Sequence, residues 1–491
     1  MAIKTKLVQI ILLITFSVSL SNCFNSNKER DQIDAKELQS DFKILRTSLE
    51  EAHPGLYWYT SKKEMDHTFD STYGLLNKPM THIEFLKLLL PLIASIKCVH
   101  TNISVSDEAK NFAFTNFKCL PLTLTFINNN AFIKYDFSNK AQDKTGWQVI
   151  SINGKSINEI VQTLFKALPA DGYNQTFKYH ILEGPLFRQG YALYVDQPAK
   201  FSVEVIDPST RKHELLKIPA STQKEIERVG KKEKFHPEIS VHFIDSVPAA
   251  VLRINTFEPG SSIASYRDTL HSIFKAIDER HVNNLIIDVR DNGGGNNGNV
   301  TDLYAYLASA PFKHIQRSEM VADHFTYINH VENPREFQQL HKVKNSEGTF
   351  QVDYRYPGTK VREPVKDYPF KGNVIVLANG GTVSAASEFV ALVKSYKRAT
   401  IIGEETAGCY YGATGGNYLL LLLPASKIKV RIPTIRIFTA VDVDTISQPV
   451  GRGVLPDFTV VPDIRSRISN NDTVLRSAIN YIRNNTRKEA I

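Results

Sequence analysis

Apolar residues recur every three to four positions in the first part of the chain, which is the spacing of an amphipathic helix. The first such stretch predicts a helix over residues 35–52, whose apolar face is formed by Leu38, Phe42, Leu45 and Leu49. A second, more apolar stretch predicts a helix that begins near residue 83 and runs towards His100. We therefore expect residues 35–118 to form an N-terminal helical region that carries His100.

The middle of the chain, residues 119–220, alternates apolar and polar residues in the manner of half-buried strands, for example at 122–126 and 201–205. Between these stretches an apolar run ends at Asn153-Gly154, a pair typical of a two-residue hairpin turn, and a helical pattern follows from residue 157. This order is similar to the end of a PDZ-like α+β module, and such modules bind extended peptide ends by strand addition. Peptide binding and a purely structural role both stay open for this module.

From residue 239 onward, short and fully apolar strands alternate with helical patterns. Strands without polar positions are typical of a parallel sheet that is covered on both faces. The predicted strands cover residues 249–254, 284–289, 374–378 and 400–403. We expect an α/β domain over residues 240–465, with a mixed sheet flanked by helices, and a C-terminal helix over residues 466–491.

The N-terminus has the pattern of a secretory signal, with Lys4 and Lys6 followed by an apolar stretch over residues 7–20 that is too short to span a membrane. Residues 1–22 are therefore interpreted as a signal peptide. Cys23 follows and resembles the lipidated cysteine of bacterial lipoproteins, although Asn22 stands where Gly, Ala or Ser is usual. We expect residues 23–34 to tether the protein to the bacterial cell envelope through a lipid, with plain cleavage and release as the alternative.

Composition and charge narrow the classes of function. The apolar share of 42% and the charged share of 22% are those of a soluble globular protein. Of the formal charge of +8, two units lie in Lys4 and Lys6, and the remaining +6 is not concentrated in a dense basic run, so no nucleic-acid partner is expected.

Beyond Cys23, the cysteines are Cys98, Cys119 and Cys409, which are too far apart in sequence for a metal cluster, and a disulfide between the first two stays open. No metal and no cofactor are predicted.

Two glycine-rich turns follow predicted strands. The first, residues 288–296, contains the consecutive glycines 293–295, which let a backbone approach a ligand closely and direct amides into one place, as an oxyanion hole requires. A tight turn is the alternative. The second turn contains Gly380-Gly381 and leads into a helix, and Ser384 lies at the transition, where the helix N-terminus favours negative charge. A helix-capping serine is the alternative there.

These motifs resemble the tail-specific, or C-terminal-processing, serine peptidases, including their tricorn-core-like branch. The similar segments are residues 285–295, 382–386, 401–408 and 453–457, within residues 240–465. The resemblance implies crotonase-like ββα layers and a peptide or protein substrate. It also implies that Ser384 is the nucleophile and that the amides of Gly294 and Ala385 form the oxyanion hole.

The sequence differs from the processing branch at the position of the general base. In that branch the base is a lysine, which follows the segment that corresponds to residues 403–408. Cys409 stands there, and a thiol is a poor substitute for a desolvated lysine. The tricorn-like branch uses a histidine instead, and the resemblance implies His100, with an imidazole nitrogen within hydrogen-bond reach of the Ser384 hydroxyl. Asp442, Asp444 and Glu405 are open candidates for the residue that orients it, whereas His53 is interpreted as structural.

The sequence thus predicts a secreted, lipid-anchored serine peptidase. Two alternatives remain. One is a degenerate peptide- or ligand-binding protein on the peptidase fold, which the missing lysine makes relevant. The other is a non-peptidase serine hydrolase, such as an esterase, that uses the same serine.

Overall fold

The structure is a computed structural model, and it describes residues 32–138, 143–230, 237–258, 260, 263–335, 340, 342–352, 358–469 and 471–489. The expected signal peptide, Cys23 and most of the expected tether lie outside the described residues. Within the described ranges, no helix is both long enough and apolar enough to cross a membrane.

The helices fall in three groups along the chain. The first group precedes the middle module, the second lies within it, and the third surrounds the α/β sheet and ends the chain. In chain order they are α1 (Ala35–Ala52), α2 (Lys62–Gly74), α3 (His82–Ser95), α4 (Asp107–Asn116), α5 (Ile157–Phe165), α6 (Thr176–Ile181), α7 (Phe187–Tyr194), α8 (Gln223–Val229), α9 (Ile263–Glu279), α10 (Asn297–Ala305), α11 (Ala385–Ser395), α12 (Ile464–Ile468) and α13 (Thr473–Glu489). A π-helical turn (Leu182–Leu186) joins α6 to α7, and a 3₁₀ turn covers Ile328–His330.

Within the described residues, the strands form three sheets of six strands each. In chain order they are β1 (Asn102–Ser104), β2 (Leu122–Ile127), β3 (Asn130–Asp136), β4 (Gln148–Ile152), β5 (Lys155–Ser156), β6 (Lys200–Ile206), β7 (His213–Pro219), β8 (Ile239–Ile244), β9 (Ala249–Ile254), β10 (Asn284–Asp288), β11 (Ile315–Met320), β12 (Lys342–Lys344), β13 (Phe350–Val352), β14 (Asn373–Ala378), β15 (Thr400–Gly403), β16 (Gly412–Leu422), β17 (Lys429–Thr439) and β18 (Phe458–Thr459).

The central sheet has the order β18-β15-β14-β10-β9-β8 and is parallel except for the pairing of β8 with β9. Helices α9, α10 and α11 cover one face, and α13 covers the other. Every residue of β10 is buried, as expected for a strand covered on both faces. The predicted fold class, a mixed sheet flanked by helices, is confirmed.

The middle module contains an antiparallel sheet of order β2-β3-β4-β6-β7, with β5 paired to β4. The predicted turn at Asn153-Gly154 is present, and both residues have positive φ, of 52° and 77°. This is the backbone of a type I′ turn, which matches the twist of the strands it joins. Helix α5 follows the hairpin at a capping box between Ser156 and Glu159.

The third sheet joins parts of the chain that are far apart in sequence. Its order is β1-β17-β11-β13-β12, with β16 on β17, so a strand next to His100 pairs with one that lies more than three hundred residues later. Helices α1, α2 and α3 share one apolar core with β11, β16 and β17. The region 35–118 is therefore packed as one unit with the long hairpin of β16 and β17, because the apolar face of each would otherwise be exposed.

Candidate active site

The two glycine-rich turns lie side by side because they follow neighbouring parallel strands. Asp288, at the end of β10, is in register with Leu377 in β14. Hydrogen bonds then join the turns directly: the Val383 amide donates to the Asn292 carbonyl at 2.9 Å, and the Thr382 hydroxyl donates to the Val289 carbonyl at 2.9 Å. The segment that leads to Ser384 is thus fixed against the triple glycine.

Ser384 precedes α11 and has φ 53° and ψ −129°. This conformation is close to the first central position of a type II′ turn, where glycine is the usual residue, so a serine there is strained. Its side chain makes no capping hydrogen bond, which argues against the helix-cap alternative, and the residue is partly exposed. The hydroxyl therefore lies at the positive end of the helix dipole without a structural task in the cap.

Gly294 is in contact with Ser384. It has φ +101°, and a Cβ on it would lie 2.7 Å from the Cβ of Ser384 and 3.0 Å from the amide nitrogen of Ala385. Only glycine fits this close approach. The Gly294 amide itself donates to the Asn292 side-chain oxygen at 2.9 Å, so one of the two expected oxyanion donors is engaged in this structure.

His100 is buried, with 1% of its surface exposed. Neither ring nitrogen forms a hydrogen bond with any residue that the structure describes, so the expected bond to Ser384 is not formed. The ring stacks near Tyr418, with ring centroids 6.3 Å apart. Burial, with a contribution from the positive charge of Arg431, lowers the pKa of His100 to about 3, so the imidazole is neutral in this structure.

A single chain segment connects the surroundings of Ser384 to those of His100. The Ala407 amide donates to the Thr382 carbonyl at 2.9 Å, two residues before Ser384. Farther along the segment, the Thr414 hydroxyl lies 2.8 Å from the sulfur of Cys98. A Cβ on Gly415 would lie 3.7 Å from Nε2 of His100. Residues 407–415 thus run from the nucleophile candidate to the base candidate.

Asp171 is a buried carboxylate close to His100, and sequence reasoning missed it. One ligand atom each from Cys98, His100 and Asp171 lies within 4.8 Å of the others, and all three residues are buried. Burial raises the pKa of Asp171 to about 7, and the Val99 amide opposes this by donating to the carboxylate. The only sequence signal was Asp171-Gly172, which indicates a turn but not which part of the chain it meets.

The three carboxylates considered from sequence lie elsewhere. Glu405 forms an ion pair with Arg452 at 2.6 Å and accepts the Gly453 amide at 2.8 Å. The Asp442 amide donates to the hydroxyl of Ser395, which ends α11. Because a helix of 11 residues is roughly 16 Å long, this places Asp442 far from Ser384 at the other end. Asp444 is exposed and accepts the Ser447 amide in its own turn. The hydrogen bonds and ion pairs of the described residues place none of them on His100.

The remaining histidine and cysteine candidates have local roles. His53 is hydrogen bonded at both nitrogens, to the Thr101 hydroxyl at 2.7 Å and to the Gly55 amide at 3.1 Å, which supports its structural interpretation. The three cysteines of the described residues, Cys98, Cys119 and Cys409, are free thiols, so Cys98 and Cys119 form no disulfide here. Burial raises the pKa of Cys409 far above its usual range, which makes this thiol unsuitable as a base.

An open cleft of about 440 Å³ lies between the middle module and the central sheet. It reaches Gly380, four residues before Ser384. Helix α6 forms part of its wall and packs tightly on the glycine pair, since a Cβ on Gly381 would lie 2.5 Å from Nε2 of His180. The cleft is large enough to hold several residues of an extended chain.

Residues 248–460 match the model of peptidase family S41. The fold is similar to that of mature CPAF, with 14% identity and a TM-score of 0.63 over 92% of this chain and 98% of that chain. The structure of mature CPAF complexed with lactacystin gives a TM-score of 0.62 at 14% identity, over 92% and 99% of the two chains. A putative peptidase from Parabacteroides merdae is 15% identical, with a TM-score of 0.47 over 91% and 96%. The expected family resemblance is confirmed.

Proposed function

We propose that the protein is a serine-type peptidase, with Ser384 as its nucleophile and His100 as its general base, because residues 248–460 match the model of peptidase family S41. The observation that carries the proposal is the strained backbone of Ser384, at φ 53°, which holds an uncapped hydroxyl at the N-terminus of α11 beside Gly294. Strain of this kind is retained where surrounding structure imposes it, and it is concentrated at functional sites.

In the proposed reaction the Ser384 oxygen attacks a peptide carbonyl while its proton passes to a nitrogen of His100. The same proton is then delivered to the leaving amine. Proton transfer needs the two atoms within roughly 2.6–3.2 Å, and such contacts often tighten only when substrate is bound. Residues 407–415 contact the surroundings of Ser384 and those of His100. A shift of this segment is proposed to bring the two side chains together.

The amides of Ala385 and Gly294 are the proposed oxyanion donors. Both lie against the nucleophile, since a Cβ on Gly294 would lie 3.0 Å from the Ala385 nitrogen. The Gly294 amide has to exchange the neutral oxygen of Asn292 for the oxyanion, and this exchange is favourable because a charged acceptor forms the stronger hydrogen bond. The cleft that reaches Gly380 is the proposed path of the substrate chain.

Asp171 is proposed as the residue that orients His100, in place of the three carboxylates considered from sequence. A carboxylate beside the imidazole stabilises the imidazolium that forms when the ring takes the proton. The proximity of both groups in a buried cluster supports this role.

A fluorophosphonate probe tests the nucleophile. It should label the wild type and Ser395→Ala, whose serine lies at the other end of α11, but not Ser384→Ala. Peptide hydrolysis should be lost in Ser384→Ala alone. Labelling that persists in Ser384→Ala contradicts the proposal. An unlabelled wild type favours the degenerate binding protein, and hydrolysis of esters without hydrolysis of peptides favours the esterase.

We also propose that the protein is held at the bacterial envelope by a lipid on Cys23. The basic start, the short apolar stretch and the position of this cysteine support the proposal. Cys23→Ser should move the protein from the membrane fraction to the soluble envelope fraction. Equal solubility of both forms would leave only secretion.

A further inference from the structure

We propose that Cys98, His100 and Asp171 bind a zinc ion, and that the bound ion holds the peptidase inactive. One ligand atom from each residue lies within 4.8 Å of the other two, and all three residues are buried. Two of the ligands come from the segment after α3, and the third comes from the segment between α5 and α6 of the middle module. The regulatory part of this inference rests on the proposed role of His100 as general base.

Unsatisfied polar atoms in the cluster point to a ligand. Both ring nitrogens of His100 and the Oδ2 atom of Asp171 are buried without a hydrogen bond in the part of the chain that the structure describes. Buried polar groups are nearly always paired, so such atoms need an explanation. The equally buried His53, which has a partner at each nitrogen, shows that this region can satisfy a histidine where no ligand is needed.

The chemistry of the three donors suits zinc. Thiolate, imidazole and carboxylate are its usual protein ligands, and a thiolate with a carboxylate neutralises its two positive charges. Arg431, which stacks on Tyr418 at 3.3 Å near the His100 ring, opposes a cation, but its single charge is smaller than the two negative charges of the ligands. Three protein ligands leave the fourth tetrahedral position to water.

The surroundings already hold the ligands in a suitable way. The Oδ1 atom of Asp171 accepts the Val99 amide at 2.8 Å, which leaves Oδ2 free for the ion. The Thr414 hydroxyl lies 2.8 Å from the Cys98 sulfur and is able to donate to a thiolate there. Zinc–ligand bonds of about 2.0–2.3 Å put donor atoms roughly 3.5 Å apart, so the cluster has to contract by about 1 Å.

A zinc ion in this cluster would occupy a nitrogen of His100. A nitrogen bonded to the metal has no lone pair for the proton of Ser384, so the general base would be blocked. Removal of the ion would restore it. The site would therefore make the peptidase responsive to the zinc concentration.

Binding is tested on the full chain carrying Ser384→Ala, with Co²⁺ as a spectroscopic probe and Zn²⁺ as competitor. We expect a thiolate-to-cobalt charge-transfer band that zinc removes. Adding Cys98→Ser should abolish the band and weaken zinc binding by at least about 100-fold, whereas Cys119→Ser, which changes a buried cysteine outside the cluster, should change neither. Absence of metal binding, or equal affinity in Cys98→Ser, overturns the proposal.

Activity then separates this inference from the proposed function. We expect zinc to inhibit peptide hydrolysis by the wild type and a chelator to restore the rate by at least about tenfold. Metal binding at Cys98 without hydrolysis in any condition would overturn the proposed function but keep the site. Hydrolysis that is insensitive to zinc, in a protein that binds zinc through Cys98, would overturn the regulatory part.

Discussion

One carboxylate oxygen of Asp171 accepts a hydrogen bond of 2.8 Å from the backbone amide of Val99, the residue before His100. A second bond, from the Gly172 amide to the Lys97 carbonyl at 3.0 Å, lies beside it. The loop that carries His100 is therefore held by the segment between α5 and α6 of the middle module. The position of the proposed base depends on a contact between two separate parts of the chain.

Asp171→Asn should lower kcat by about 100-fold and leave KM nearly unchanged, when a chelator is present. The amide oxygen of asparagine is still able to accept the Val99 amide, so the loop should keep its place. What is lost is the negative charge that stabilises the imidazolium. Steady-state kinetics on a peptide substrate measures the split between kcat and KM.

Asp442→Asn and Asp444→Asn serve as matched controls for this prediction. They make the same chemical change at two of the three candidates that the sequence suggested, and both should stay within about threefold of the wild type. A large loss in either control, with little effect in Asp171→Asn, would return the orienting role to the loop after β17.

Gly294→Ala should reduce peptide hydrolysis by at least about 100-fold, the size of effect expected when an oxyanion donor and the nucleophile no longer meet in place. The new methyl group would lie 2.7 Å from the Cβ of Ser384 and would displace the nucleophile. Labelling by a fluorophosphonate should slow in parallel with hydrolysis.

Gly348→Ala is the control for the backbone effect of that substitution. Gly348 also has positive φ, of +81°, but no heavy atom lies within 4 Å of the added Cβ. It should keep wild-type activity. Comparable losses in both variants would mean that backbone strain, rather than intrusion on Ser384, causes the effect.

The family resemblance implied that Gly294 lies beside Ser384, and the fold provides a physical reason for this adjacency. Each residue follows a fully apolar strand, and the carboxyl ends of neighbouring parallel strands meet at one edge of a sheet. The strands β10 and β14 are neighbours in the structure, and the turns after them are hydrogen bonded. The local pattern predicted the two turns, and the family resemblance supplied the pairing between them.

The surroundings of His100 did not follow from the sequence. Asp171 lies 72 residues from Val99, and no periodicity connects the end of a helical region to a turn in another module. The pairing of β1 with β17 is of the same kind. Such contacts depend on how separate parts of the fold pack against each other. The apolar pattern within one part does not indicate which other part it contacts. The role of His100 in catalysis stays a prediction.

His53 should make the protein less stable in acid. Burial lowers its pKa to about 3 from an ordinary value of 6.5, so the unfolded chain takes up a proton that the native state refuses. The stabilising contribution is present above pH 6.5 and is lost as pH falls through the window towards 3. Between pH 7.5 and 5 this histidine accounts for a loss of about 2 kcal/mol in the free energy of unfolding.

Urea unfolding of wild type and His53→Gln at both pH values measures this loss. The variant should lose about 2 kcal/mol less than the wild type over the same interval. His67→Gln, at an exposed histidine of α2, is the control and should follow the wild type. The lowered pKa of His100 also reduces stability in acid, whereas the pKa of Asp171, raised to about 7, has the opposite effect. Both residues are present in all three proteins, so their contributions cancel in the comparison. An unchanged pH dependence in His53→Gln would contradict the prediction.

The strain at Ser384 predicts that glycine at this position stabilises the protein relative to alanine. Ser384→Gly and Ser384→Ala both remove the hydroxyl, but only glycine adopts φ 53° and ψ −129° without steric cost. Strain of this kind costs about 1–3 kcal/mol, and the greater freedom of glycine in the unfolded chain offsets part of it, so a net gain of about 1 kcal/mol is expected in the free energy of unfolding.

The same pair of substitutions at Ser71, an exposed position inside α2, should have the opposite sign, since glycine in a helix is less stable than alanine by about 1 kcal/mol. Opposite signs at the two positions would establish that the backbone of Ser384 is held against its own preference. If glycine were the less stable choice at both, the strain would be absent, and the proposal would lose the observation on which it rests.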